Sequence, residues 1–248
     1  QLVEHVDRPP RVDQRHVLGI AARLALEEFV FPAFEDPGYW EEREADLPVN
    51  VTPDEPRLAS PEADARMRRV FARGLGNPAG YVLPLASLPT GEDDERLWIS
   101  EAWAFRRGGA FLTAGDSPLG FRLPLASLPH VPPEHYPYYQ PQDPLEARGA
   151  LPEGAEGGPR TANGSGVTGV AVRTALAVEP RDGIVHVFMP PLQRADEYLE
   201  LLGHIEAAAG KAGVPVQIEG YEPPYDPRIG VIKVTPDPGV IEVNVHPA

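Results

Sequence analysis

The sequence contains no cysteine. That absence excludes disulfides, thiolate zinc sites and cysteine nucleophiles together. Basic residues are in deficit: 22 Lys and Arg stand against 37 Asp and Glu, for a net charge of −15. A general nucleic-acid binder needs a basic face to meet the phosphate backbone, so no nucleic-acid partner is expected. No apolar run approaches a membrane span and the N-terminus has no signal-peptide pattern. No membrane partner is expected, and the location expected is cytoplasmic. Familiar signatures are also missing: no Walker loop ending in Lys-Ser/Thr, no Gly-x-Gly-x-x-Gly after a strand, no Gly-x-Ser-x-Gly elbow and no His-Glu-x-x-His.

What remains is a chain of 248 residues, 42% apolar, long enough for one large domain or two modest ones. Its 31 prolines and 24 glycines imply many loops and turns. The excess acid is compatible with divalent cations held on carboxylates, although most of it reads as solvated surface. The chain does not begin with Met and stops directly after an apolar strand. It is therefore expected to be an internal piece of a longer protein, truncated at its C-terminus.

Apolar spacing predicts a helix from Val12 to Phe29, ended by Pro32, and a second beginning at Ser60-Pro61 and closing at Gly76. Residues 34–50 have no clean period and read as a packed loop with at most a short helix. Short strands follow at Tyr81–Leu85, Leu97–Ser100, Trp103–Arg106, Ala110–Thr113 and Phe121–Leu125. The glycine-rich stretch 149–167 reads as a linker between an N-terminal region, 1–148, and a C-terminal one, 168–248. In the latter, strands at Val167–Val178 and Ile184–Met189 precede a helix at Gln193–Ala209. Strands at Val214–Ile218, Val231–Thr235 and Val240–Val245 complete a β-β-α-β-β-β order. The fold class expected is α+β, an antiparallel sheet with flanking helices.

Side chains alternate across a strand, so each hairpin can be read by face. With Pro180–Gly183 as a four-residue turn, Glu179 pairs with Ile184 and Ala177 with His186. Arg173, Glu179 and His186 then line one surface, with alanines between them. In the second hairpin Ile241, Val243 and Val245 form an apolar face opposite Glu242, Asn244 and His246, and Lys233 is expected opposite Glu242. Such an oxygen- and nitrogen-rich row suits Mg²⁺. The plain alternative is a solvated sheet face with an ordinary Lys233–Glu242 ion pair. Two histidines, an asparagine and an arginine flanked by alanines are unusual for such a face, although His186 alone reads as a satisfied partner. His5, His16, His130, His135 and His204 have no partner spacing and are assigned nothing. The Gly115–Gly120 loop reads as a plain turn.

Several blocks together carry a resemblance: Leu47-Pro48-Val49-Asn50, Gly80-Tyr81-Val82-Leu83-Pro84-Leu85, Ser100-Glu101-Ala102-Trp103, Gly115–Gly120, His186-Val187-Phe188-Met189-Pro190-Pro191 and residues 233–244. They resemble a bacterial family of large amidoligases with an N-terminal transglutaminase-like part. The resemblance implies a ligase domain related to the glutamine synthetase fold, with ATP and Mg²⁺ as cofactors. It implies Glu242, Asn244 and His246 as cofactor-binding residues and Glu179 and Glu242 as metal ligands. Arg173 and Lys233 would neutralise phosphate charge, with His186 beside them among the catalytic side chains. Carboxylate and amine substrates, either small molecules or peptides, and the transglutaminase-like part of the same chain are the implied partners. A non-catalytic peptide-binding or scaffold domain partnering that part is the alternative.

Overall fold

The computed structural model describes residues 11–46, 48–50, 61–89, 96–112, 122–136, 148–151, 170–237 and 240–245. Among the described residues, four α-helices, α1 (Val12–Arg23), α2 (Pro37–Ala45), α3 (Pro61–Arg73) and α4 (Ala195–Ala212), accompany ten strands. The strands are β1 (Phe31–Glu35), β2 (Gly80–Pro84), β3 (Ala86–Pro89), β4 (Arg96–Ile99), β5 (Ala110–Leu112), β6 (Ala175–Arg181), β7 (Ile184–Met189), β8 (Val216–Gly220), β9 (Ile232–Asp237) and β10 (Val240–Val245). The α+β class expected from the sequence is the one observed.

Helix α1 stops six residues before the expected Phe29. Ala25 turns into the left-handed region at φ 53°, and the Leu26 N–H returns to the Ala21 carbonyl at 2.9 Å. This C-terminal reversal lets Leu24 and Leu26 both enter the core, which extension of the helix would prevent. The stretch expected to be a packed loop holds β1 and α2. Asp36 caps α2 by accepting from the Gly38 N–H at 3.0 Å, with Pro37 at the first helical position. Trp103–Arg106 is irregular rather than a strand, because Trp103 and Phe105 pack as a cluster against Phe31. Leu125–Ser127 is a 3-10 turn, and the Gly115–Gly120 loop lies outside the described residues.

The main sheet has the order β5-β1-β2-β6-β7-β8. It draws strands from both sides of the 149–167 segment, most of which (152–167) is outside the described set. Its central pairs, β1–β2, β2–β6 and β6–β7, are antiparallel as expected, while the outer pairs β1–β5 and β7–β8 are parallel, the latter joined through α4 as a β-α-β crossover. Strands β9 and β10 pair with each other in a separate two-stranded sheet, as do β3 and β4.

Both expected hairpin registers are two residues off. Arg181 pairs with Ile184 and Glu179 with His186, so the turn is Asp182-Gly183 alone. Both turn residues have positive φ, 50° and 83°, the two-residue arrangement whose twist matches paired strands. In the second hairpin Asp237 pairs with Val240, Glu242 with Thr235 and Asn244 with Lys233. A shift of two keeps every side chain on its assigned face, since the period along a strand is two.

The two faces of the main sheet differ. On one, Leu83, Leu176, Val178, Val185, Val187 and Met189 meet α1 and α4 through Val17, Ile20, Leu24, Leu201 and Ile205. Each such buried side chain contributes about 1.5–3 kcal/mol by leaving water. The opposite face carries Ala33, Val82, Ala177 and the aromatic cluster over β1, β2 and β6, and then becomes polar toward β7 and β8.

Candidate functional site on the second sheet face

The polar half of this face is built by register. Glu179 and Arg181 project from alternate positions of β6, and His186 lies directly opposite Glu179 on β7. Parallel pairing places Gln217 beside His186 and Glu219 beside Phe188, so β8 adds its polar residues to the same face. Glu219 is the hub. Its carboxylate accepts from Arg181 Nη2 and from His186 Nδ1, the latter at 2.8 Å.

A carboxylate acceptor requires His186 Nδ1 to carry its proton, which leaves Nε2 with the lone pair in the neutral ring. The ring is thereby oriented by one carboxylate and its tautomer chosen, as in histidines that handle protons.

A second shell of charge arrives from α3. Arg66, Arg69 and Arg73 follow an i, i+3, i+7 spacing and so share one side of the helix. Arg66 and Arg73 donate to Glu35 on β1, at 3.2 and 3.1 Å. Glu35 is almost fully buried and also accepts from Trp40 Nε1 at 2.9 Å. Arg181 Nε stands 3.5 Å from the Glu179 carboxylate. Burial raises the Glu179 pKa above the ordinary carboxylate range; Arg181, Arg69 and Arg73 lower it in part, and Glu35 pushes it up again. Glu179 is thus a carboxylate with reduced preference for its charge, opposite a histidine whose Nδ1 proton is committed.

The sequence-predicted residues separate into three groups. Glu179 and His186 do come together, more directly than the four-residue turn implied. Arg173 does not join them: it lies before β6, donating to Glu101 and to the Val172 and Pro129 carbonyls at 2.9–3.1 Å. Lys233 is exposed on the separate hairpin, pairs with Glu222 at 2.6 Å, and lies opposite Asn244 rather than Glu242 in the strand register. Glu242 and Asn244 occupy β10, while their side chains and all of His246 lie outside the described residues.

Sequence reading missed Arg181, Glu219 and the α3 arginines. Arg181 was legible, because Asp-Gly is a strong two-residue hairpin signal that returns Arg181 to the strand. The arginine spacing on α3 was also readable. Glu219 was not, since its register depends on a parallel crossover through α4.

Among the described residues, no group of three His, Asp or Glu side chains is arranged to hold a metal ion. Glu179 is surrounded by Arg181, Arg69 and Arg73 together with one further carboxylate, Glu35.

Comparison with known proteins found no match among curated proteins and none among solved structures. One family model does match, from residue 4 to residue 248, which is nearly the whole chain. The chain belongs to the family described as "Putative amidoligase enzyme (DUF2126)".

Proposed function

We propose that this chain belongs to a ligase that joins a carboxylate to an amine, with ATP activating the carboxylate as an acyl phosphate. The family match over residues 4–248 carries this reading. The second sheet face supplies chemistry that suits it. An amine arriving as ammonium must lose a proton before it attacks an acyl carbon, and the His186 Nε2 lone pair, oriented by Glu219, is suited to accept it. Attack then forms the C–N bond, and the C–O bond to phosphate breaks. Glu219 stays ionised while His186 is protonated, stabilising the imidazolium.

Among the described residues no three His, Asp or Glu side chains gather as a metal cluster, and no step is routed through Mg²⁺ here. An ion site at Glu242, with Asn244 and His246 beside it, stands as a proposal for the β10 strand rather than for Glu179.

The test uses the full-length protein with panels of acids and amines, reading ADP release together with amide formation. Turnover should need both substrates, and His186→Asn should lower kcat by a factor on the order of 10² to 10⁴. Mg-dependent ATP binding should be lost in Glu242→Ala and kept in the exposed control Glu206→Ala. Absence of nucleotide-dependent amide formation across the panels would sink the ligase reading. A non-catalytic docking domain has one observation in its favour: Ile232, Val234 and Val243 are exposed on one face of the β9–β10 hairpin. Peptide capture without turnover would decide for it.

A further inference from the structure

Glu219 orients His186, and its own orientation has to come from elsewhere. It lies on β8, an outer strand of the main sheet, where a carboxylate can turn toward water. Instead its two oxygens are divided between partners. His186 Nδ1 donates to Oε1 at 2.8 Å, and Gln217 Nε2 approaches the same oxygen at 3.4 Å, too long to fix it firmly. Oε2 accepts from Arg181 Nη2.

Arg181 is placed for this contact by the tight turn. With Asp182-Gly183 as the whole turn, Arg181 stays in β6 and shares a face with Glu179 and His186. Neighbouring strands stand about 4.8 Å apart, so Arg181 and Glu219 together bridge roughly 10 Å, across β7 and beside His186. Their side chains are only 10% and 11% exposed, so solvent and salt screen the pair weakly. Arg181 Nε also stands 3.5 Å from the Glu179 carboxylate, which restrains the guanidinium from following Glu219 outward.

We propose that Arg181 is a positioning residue for His186. By fixing Glu219 Oε2 it turns Oε1 onto the imidazole and keeps the neutral ring's proton on Nδ1, leaving Nε2 as the proton acceptor. An imidazole without such a partner prefers its proton on Nε2, so this tautomer has to be imposed, and the bond at the other nitrogen imposes it. The charged pair also keeps Glu219 ionised as an acceptor when His186 takes up a proton. A plain cross-link between β6 and β8 would add stability and leave the state of the ring unchanged. The functional meaning of this role rests on the ligase reading; the tautomer itself does not require turnover.

The experiment is long-range proton–nitrogen NMR on the full chain with nitrogen-15 in its histidines, at a pH where the His186 ring is neutral. His186 is assigned by the signals that vanish in His186→Asn. Wild type should show the Nδ1–H tautomer. Arg181→Gln should lower the ratio of Nδ1–H to Nε2–H at least about threefold, and kcat for amide formation should fall about tenfold with KM nearly constant. Arg181→Lys keeps the charge but loses the fork that faces two carboxylates, so it should fall between these two. Should Arg181→Gln fail to fold by circular dichroism, the lysine variant carries the test. Arg107→Gln removes an exposed ion pair to Asp36 and should leave both the tautomer and kcat as in wild type. An unchanged tautomer in the folded Arg181 variants overturns the inference, whatever happens to their stability. Wild-type amide formation alongside that result would leave the ligase reading standing. A shifted tautomer without any amide formation upholds the role of Arg181 and refutes the ligase reading alone.

Discussion

His16 is fully buried on α1 with neither ring nitrogen hydrogen-bonded, and burial pushes its pKa down from 6.5 to about 4. Above pH 6.5 the ring is neutral in both folded and unfolded chains and contributes no pH dependence. Below it the unfolded chain takes up a proton that the folded one refuses. Stability therefore falls as pH drops from about 6.5 toward 4, by about 1.4 kcal/mol per unit from this group. Replacing His16 with Leu should flatten that limb, so the stability gap between pH 7 and pH 5 in urea melts should shrink relative to wild type. Gly220 is the other residue whose identity is dictated locally. It sits at φ 91°, and a Cβ there would lie 2.8 Å from both the nitrogen and the oxygen of Met189. Gly220→Ala should cost about 2 kcal/mol or more in chemical denaturation, because strain and clash act together at the end of β8. That end follows directly on Glu219, so the variant should also disturb the His186 ring, visible as a shifted imidazole resonance.

At the scale of elements, the sheet owes its helix layer to one close approach. Gly19 on α1 faces Ala208 on α4, where an added Cβ would come 3.3 Å from the alanine methyl. Two small residues let the helices pack over the same sheet face, with Ile20 and Ile205 filling the space beside them. Gly19→Leu should drive the helices apart and lower stability by about 1–3 kcal/mol in thermal or urea unfolding. The two hairpins teach a separate lesson. Their turns are tighter than the proline-containing sequences suggest, and each shift of two residues changed partners without changing faces. Glu179 and His186 stayed on one surface for that reason, while Lys233 came to lie opposite Asn244 rather than Glu242 and meets Glu222.

At the scale of the molecule, an acidic protein concentrates arginine where the second sheet face meets α3. An ion group of Asp226, Arg228, Arg148 and Asp196, of which only Asp226 is buried, plays a different part. It ties the loop after β8 to the start of α4 and to residues 148–149, at 2.7–2.9 Å. Arg228 and the other donors hold the Asp226 carboxyl well below its usual range, so this tie persists into acid. Composition, alternation and helix spacing by themselves determined the α+β class, strands β7 and β10 to the residue, and the face shared by Glu179 and His186, because all of these depend on local order along the chain; the family was legible only through the resemblance carried by its sequence blocks. Tertiary structure alone decided that β7 and β8 run parallel, that Glu219 reaches His186, and that Glu35 and the arginines of α3 gather around Glu179. Those contacts join residues separated by 31 positions or more, and nothing in local periodicity specifies which distant segments will lie side by side.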